Sequence, residues 1–273
     1  MSIRFYYHLL RRDVTNFSFL RHVKLDGFIV TMHQAGTHWL KHMLACAITR
    51  ELGLSPPQYA YAGDIIGGAK RPIKYPGLPA IGHSHTIPSP LMGSKILRKF
   101  YRLPRYVVLV RDIRAILVSN YEKHKPEYLK PENNYEFSEY LRGDVTSQRF
   151  YSDIWWAIRF QNAWGKIIAK YPDEIIVIKY EDMVTDSLAQ LQAINTFLKL
   201  NLSTESLLHG VQESTKEKMS LKPGSPKKVK KSNVVVVRMD TKPGRPVFAK
   251  EDELFFKQTC RTYLKYDFGY DYS

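Results

Sequence analysis

Apolar and polar positions alternate along the chain in blocks that fit strands and helices in turn. Gly27 to Met32 (GFIVTM) is a short apolar run bounded by Asp26 and polar residues, the pattern of a buried strand. Four residues come next, His33, Gln34, Ala35 and Gly36. A helical pattern then opens at Thr37, where Trp39, Leu40, Met43, Leu44, Ala47 and Ile48 recur three and four positions apart through Leu52. Residues 53–78 are rich in proline and glycine and predict irregular structure. A second strand is expected over Pro79–Ser84 and a helix from Pro90 to Arg102. Tyr106–Val110 (YVVLV) is the clearest buried strand. It ends in Arg111 and leads into a helix through Lys123. The polar stretch 126–150 predicts a surface excursion with a short helix. Beyond it the pattern predicts a helix over Ser152–Lys170 and a strand over Ile175–Ile178 closing at Tyr180-Glu181-Asp182. Helices over 185–199 and 203–214, a strand at Val234–Val237 and a last helix from Lys250 to Tyr263 complete the pattern.

Strands alternating with helices predict an α/β fold, a parallel sheet flanked by helices on both faces. With no internal repeat and no long low-complexity linker, a single domain is expected over 1–273. It carries a basic and aromatic N-terminal extension (1–24) and a mobile basic loop (216–233). Ligands of such sheets gather beyond the C-terminal ends of the strands, and the chemistry-bearing residues of this chain fall there.

Charge adds a partner class. Among 273 residues, 41 Lys and Arg against 26 Asp and Glu give a net charge of +15. This implies anionic partners: nucleic acid, a membrane surface, or phosphorylated and sulfated small molecules. The excess is uneven. Residues 25–215 carry only +4, whereas 216–250 hold eleven basic side chains against Glu217 and Asp240, a surplus of +9. The basic segment lacks interleaved aromatics, and no nucleic-acid-binding motif is present, so nucleic acid is not expected. Cys46 and Cys260 are too few for a disulfide framework and fit a reduced, cytoplasmic protein. No apolar stretch approaches the ~20 residues that cross a bilayer. The opening MSIRFYYHLLRRD is too short in its apolar run for a signal peptide. It either packs as a first helix or lies on an anionic membrane as a short amphipathic one.

Four features carry candidate chemistry. The turn from Met32 to Trp39 brings a helix N-terminus up to a tight loop. Free N–H groups and the helix dipole favour an anion there, Gly36 lets backbone approach closely, and Thr37 is placed both to cap the helix and to donate to a phosphate oxygen. It is not a Walker A loop, since GxxxxGK(S/T) needs a lysine and Ala35-Gly36 precede Thr37. Arg111 and Ser119 come after the best strand, and Arg at a strand end suits a phosphate fork, although pairing with Asp112 or Glu122 would equally occupy it. Tyr180-Glu181-Asp182 places a tyrosine beyond another strand. His83-Ser84-His85 offers a neutral-range imidazole as general base; alternation along a strand puts at most one of the two rings at a site. No cluster has metal-ligand spacing, so no metal is expected.

In order and placement these features resemble the cytosolic-type sulfotransferase family, whose members use 3′-phosphoadenosine 5′-phosphosulfate (PAPS). His33-Gln34-Ala35-Gly36-Thr37-His38-Trp39-Leu40 resembles a diverged copy of the family's P-K-S-G-T-T-W-L loop. VVLVRDIRAILVSNY resembles its 3′-phosphate motif, with Arg111 and Ser119 in place. Tyr180 to Met183 matches its Y-E-D-M, and Ser84-His85-Thr86-Ile87 resembles its T-H-L-P segment. The resemblance implies a P-loop-type sheet and in-line transfer of a sulfuryl group to a hydroxyl or amine, leaving 3′-phosphoadenosine 5′-phosphate (PAP). It assigns the base to His85. The leaving group falls to Gln34, Ala35, Gly36, Thr37, His38 and Trp39, with Trp39 also stacking on adenine. The adenosine side falls to Tyr180, and the 3′-phosphate to Arg111, Ser119 and Arg238, with Lys242 in reserve. The acceptor implied is a small molecule, lipid or carbohydrate. Two departures stand out. The loop lysine is Gln34, which donates a hydrogen bond but no charge; Lys41, one turn into the helix, is expected to point away, so a cation from the basic segment is the better substitute. The family's C-terminal R-K-G motif is also blurred around Arg238. A nucleotide- or polyanion-binding module without turnover, and more distantly a P-loop-type kinase, are the other readings.

Overall fold

YVVLV sits at the centre of the sheet, as its unbroken apolar run predicts: Tyr106, Val107, Val108, Leu109 and Val110 are all fully buried. The computed structural model describes residues 3–16, 18–128, 135–145, 149–150, 152–223 and 248–273. Among the described residues four strands, β1 (Gly27–Thr31), β2 (Ile81–Ser84), β3 (Arg105–Val110) and β4 (Ile175–Lys179), form one sheet in the order β2-β1-β3-β4. Every neighbouring pair is parallel. The chain steps from β1 to one side for β2, then crosses back over β1 to β3. The crevice where strand order reverses therefore lies between β1 and β3.

Alternation along the strands assigns the two faces. Phe28 and Tyr106 are register partners with ring centroids 5.9 Å apart, and Trp164 of α7 (Ile154–Lys170) packs 5.2 Å from Tyr106 on the same face. Gly27 and Arg105, also partners, look the other way. There Leu198 of α9 (Ser187–Leu198) closes on Gly27, and Arg105 donates to the Phe197 carbonyl at 2.6 Å. Helices thus cover both faces. The long helix after β1, α3 (Thr37–Glu51), packs against α10 (Thr204–Gln212), where a Cβ on Gly210 would meet the Met43 carbonyl oxygen at 2.4 Å. Only glycine allows that approach.

Several boundaries differ from the sequence reading for local reasons. The helix expected over Pro90–Arg102 is a 3-10 turn (Pro90–Gly93) and a separate α4 (Lys95–Phe100), because the Ser94 hydroxyl accepts from Leu97 N–H and starts a new helix. The helix after β3, α5, runs on to Tyr128 (Ile113–Tyr128). Tyr180-Glu181-Asp182 is not an extended strand end; it opens a short helix, α8 (Tyr180–Thr185), and Asp186 then caps α9 through Ala189 N–H. Lys216 to Ser220, expected within the mobile loop, forms a helical turn, α11, capped by Thr215. Lys222 and Pro223 behind it hydrogen-bond to Pro57 and Ala60, so the start of the basic segment is seated on the irregular 53–62 stretch. The short helix within 126–150 is α6 (Phe137–Arg142). The strand expected at Val234–Val237 lies outside the described residues.

At the C-terminus α12 (Lys250–Tyr263) and the tail close on α5. Arg114 pairs with Glu253, and the Tyr272 hydroxyl accepts from Ile113 N–H at 3.1 Å. The N-terminal extension is helical, α1 (Ile3–Asn16) and α2 (Ser18–His22). It packs on the 3-10 turn, yet Ile3, Tyr7, Leu10 and Val14 stay exposed, so packing as a first helix accounts for only part of it. Cys46 and Cys260 are buried and free. Among the described residues no helix is long and apolar enough to cross a membrane.

Candidate active site

β1 ends at Thr31, the one hydroxyl-bearing residue of an otherwise apolar strand, and its side chain ties the next turn to the neighbouring strand. It is fully buried, and its Oγ1 lies 2.7 Å from Thr37 Oγ1 and 2.9 Å from His85 Nδ1. His85 stands one residue past β2, next door in the sheet. Its Nδ1 is also 2.9 Å from the Thr31 carbonyl. A carbonyl oxygen only accepts, so Nδ1 carries the hydrogen and Nε2 keeps its lone pair. Burial holds the His85 pKa below the ordinary value; the Thr31 carbonyl opposes this, and Lys123 and Lys41 reinforce it. The ring is therefore neutral near pH 7 and presents a basic Nε2. Trp164 donates to the Thr86 carbonyl at 3.0 Å and fixes the segment that carries it.

The turn between β1 and α3 is built from strained backbone. Gln34 has φ of 59° and Gly36 of 87°, both left-handed. A Cβ on Gly36 would lie 2.8 Å from Tyr180 Cδ2, so the turn needs glycine for conformation and for space. Ala35, fully buried, tightens the turn through its N–H to the Met32 carbonyl. Gly36 itself is the N-cap of α3, and no side chain caps the helix. Thr37 does not cap as expected; its hydroxyl is directed to Thr31 instead. The first-turn N–H groups, which have no partner within the helix, and the positive end of the dipole thus face the strand ends.

Arg111 leaves β3 across the switch-point crevice. Its Nη1 donates to the Gln34 carbonyl at 2.9 Å, and the guanidinium lies 4.1 Å from the Tyr180 ring centre. The two expected acidic competitors are engaged elsewhere. Asp112 caps α5 through Ala115 N–H, and Glu122 lies 3.9 Å from Lys125. Among the described residues, Arg111 Nε is buried with no hydrogen-bond partner, and so is His38 Nδ1. Trp39 meets Tyr180 edge-on, 6.1 Å between ring centres. Loop, arginine and two aromatic rings from β1, β3 and β4 thus converge. Ser119 lies half-buried on the second turn of α5, and Arg238 and Lys242 lie outside the described residues.

Lys41 corrects the sequence reading. It does not point away: it is fully buried, with Nζ 3.4 Å from His83 Nε2 and 4.9 Å from the Tyr61 ring centre. Burial brings its pKa down to about 7, opposed by Asp64. His83 Nδ1 donates to the Gly67 carbonyl at 3.1 Å, which leaves Nε2 to accept from Lys41. His83 and His85 thus have different partners, although both act electrostatically on His38. Burial lowers His83 to about 4 and His38 to about 3. His33, 4.1 Å from His85 and 4.5 Å from Trp156 between ring centres, falls to about 2, chiefly by burial. With these rings neutral, positive charge around the turn comes from Arg111, from Lys123, whose charge acts on His33, His38 and His85, and from Lys41 below its pKa of about 7. The spacing of Lys41 from Thr37, one helical turn, was the available signal for it. Lys123 gave none. Among the described residues no group of His, Cys, Asp and Glu is arranged to hold a metal.

Comparison with known proteins bears on family and fold. The sulfotransferase domain model matches residues 77–252, more than half of the chain, beginning after the β1 turn. A flavonol sulfotransferase-like protein of Flaveria bidentis is 23% identical over 201 residues, 69% of this chain. The match spans 62% of that relative, less than two thirds of its length. In structure the chain resembles mouse sulfotransferase SULT7A1 complexed with PAP (TM-score 0.58, 14% identity), over 91% of this chain and 89% of that one. It also resembles retinol dehydratase in complex with androsterone and the inactive cofactor PAP (TM-score 0.58, 15% identity), over 91% and 83%. The fold is the P-loop-type α/β fold of these proteins, and the chain belongs to the sulfotransferase domain family.

Proposed function

We propose that this protein transfers a sulfuryl group from PAPS to a hydroxyl or amine of a small-molecule acceptor. One observation carries the reading: His85, Thr31 and Thr37 form a continuous hydrogen-bonded chain, so the candidate base and the candidate phosphate turn are held by one buried threonine. A nucleotide-binding module without turnover has no need of a neutral imidazole fixed with Nε2 unprotonated beside its anion site.

The donor fits the residues present. The uncapped N-terminus of α3, the unpartnered Arg111 Nε and His38 Nδ1, and the aromatic pair Trp39 and Tyr180 suit a phosphorylated adenosine. Bound there, PAPS supplies an activated sulfuryl group. Backbone N–H groups of Gly36 to Trp39, with Thr37, His38 and Gln34, hold the 5′ side. Arg111 and Ser119 hold the 3′-phosphate, joined by Arg238 or Lys242. Trp39 and Tyr180 enclose the base. His85 Nε2 takes the proton of the acceptor as its oxygen or nitrogen bonds to sulfur, and PAP leaves with the electrons of the broken bond. Gln34 contributes no charge, and Lys41 and Lys123 offset that loss at the turn. Chemistry of this kind needs no metal.

The solved retinol dehydratase complexes, with androsterone and with retinol, support a small-molecule acceptor. The acceptor side is formed by the irregular stretch that places Tyr61 and Gly67 beside Lys41 and His83. We read the chain as one domain working in the cytoplasm. The test is transfer of labelled sulfate from PAPS into a small-molecule extract. Wild type labels an acceptor, and His85→Ala lowers the rate by about 10²–10⁴-fold. PAP binding by wild type with no transfer to any acceptor contradicts the enzyme reading.

A further inference from the structure

Two segments far apart in sequence share one composition. Residues 1–24 hold five Lys and Arg against Asp13, and KILRKFYRLPR (95–105) holds five with no acid at all. The fold brings them together. α1 packs on the 3-10 turn that precedes α4, and Phe19 of α2 meets Tyr101 edge-on, 5.7 Å between ring centres. Both segments leave apolar side chains in solvent. On α1 these are Ile3, Tyr7, Leu10 and Val14, spaced to fall along one helical stripe. On α4, Ile96 is 69% and Phe100 77% exposed. Interleaved with them, Arg4, Arg11, Lys24, Lys95, Lys99 and Arg102 are exposed. Arg98 is engaged by Glu174, and Arg105 by the Phe197 carbonyl.

We propose that this surface docks on an anionic lipid bilayer. α1 lies in the interface with its apolar stripe toward the acyl chains, and α4 inserts Ile96 and Phe100 beside it. Fourteen residues make α1 about 21 Å long, enough for an interfacial helix and too short to span. Apolar stripe and cations act together here: burial of the stripe supplies attachment, and the cations select anionic headgroups. A protein partner would need a matched acidic and apolar groove, whereas an anionic bilayer offers both properties at every point. The chain enters β1 from α2 and β3 from α4, so the patch lies at the N-terminal edge of the sheet. The candidate active site lies at the opposite edge, a strand length of about 17 Å away. Docking therefore leaves the site open and is independent of the sulfotransfer reading.

The test is co-sedimentation of the full chain with vesicles of phosphatidylcholine alone and of phosphatidylcholine with phosphatidylglycerol. Binding is expected only to the anionic vesicles and is expected to fall as salt rises, since the screening length shrinks from about 8 Å at physiological strength to about 3 Å at 1 M. Ile96→Asp with Phe100→Asp, and separately Lys95→Glu with Lys99→Glu, should each weaken binding about tenfold or more. Both pairs are exposed, and their melting temperatures should match wild type. Failure to bind anionic vesicles overturns the proposal. So does binding unchanged in both variants, or a wild-type homodimer that forms through this face and excludes vesicles.

Discussion

Arg111 Nη1 donates to the backbone carbonyl of Gln34 across 2.9 Å, joining the end of β3 to the turn after β1 at the point where strand order reverses. The contact uses one edge of the guanidinium and leaves Nε unpartnered and buried among the described residues. An arginine held on backbone and ring is pre-positioned for an anion. Arg111→Ala should lower PAP affinity by about 10–100-fold, the range for hydrogen bonds to a charged group. Arg111→Lys should recover little, because a point charge replaces a fork. Calorimetric titration of the two variants measures both losses, and unchanged affinity in Arg111→Ala would remove this residue from the pocket.

His85 and Thr31 should separate chemistry from binding. His85→Ala is expected to lose turnover with nearly native PAP affinity. Thr31→Val removes the hydroxyl but keeps the carbonyl that fixes His85 Nδ1, so turnover should fall less than in His85→Ala. Because the folded His85 pKa lies below 6.5, the acid limb of kcat/KM should appear only below about pH 6.5, whereas loss of the Lys41 proton above about pH 7 should lower kcat/KM on the alkaline side. An acid limb already setting in above pH 7 would contradict the neutral, Nδ1-protonated ring.

Gly36→Ala combines a left-handed backbone with a 2.8 Å collision against Tyr180. Strain of about 1–3 kcal/mol results, and relief requires Tyr180 or the turn to move. PAP affinity should drop in step with stability, and a melting curve beside a titration reads both. Native values of each would show that the turn tolerates a side chain.

Lys41 gives the clearest pH signature. Its folded pKa of about 7 lies below that of the unfolded chain, so between pH 7 and about 10.5 the unfolded state binds more protons and stability rises with pH. Lys41→Met should remove that rise and raise stability at pH 7, since no buried amine then loses solvation. It should lower turnover if Lys41 offsets the missing charge at Gln34. The histidines act in the same direction at lower pH. His33, His38, His42 and His83 are all depressed, to between about 2 and 4, so the unfolded chain takes up protons below pH 6.5 that the fold refuses, and stability falls with acid. Denaturant midpoints from pH 4 to 10 track both slopes.

The sheet was legible because its two central strands are buried on both faces and leave unbroken apolar runs; GFIVT and YVVLV stand out within a residue of their bounds. A helix start set by a side chain was less so: Ser94 divides the stretch Pro90–Arg102, which the pattern reads as one helix, whereas the helix capped by Asp186 begins within two residues of its expected start. Candidate residues carried by a strand end, His85, Arg111 and Tyr180, stood out in the sequence because the ends of parallel strands are where ligands gather. The orientation of Lys41 and the linking role of Thr31 could not, because both depend on β2 lying against β1, a pairing that sequence pattern does not specify. Thr37 suits a cap by residue type, yet Gly36 holds the N-cap position and leaves the helix without a side-chain cap.

A PAPS pocket at the β1–β3 crevice is the central claim. Titration of the wild-type protein with PAP in the presence of a chelator tests it most directly. The expected result is saturable one-to-one binding, unaffected by the chelator and by ATP without magnesium, and severely weakened in Arg111→Ala. Absence of PAP binding, or ATP–Mg²⁺ binding in its place, would contradict that claim.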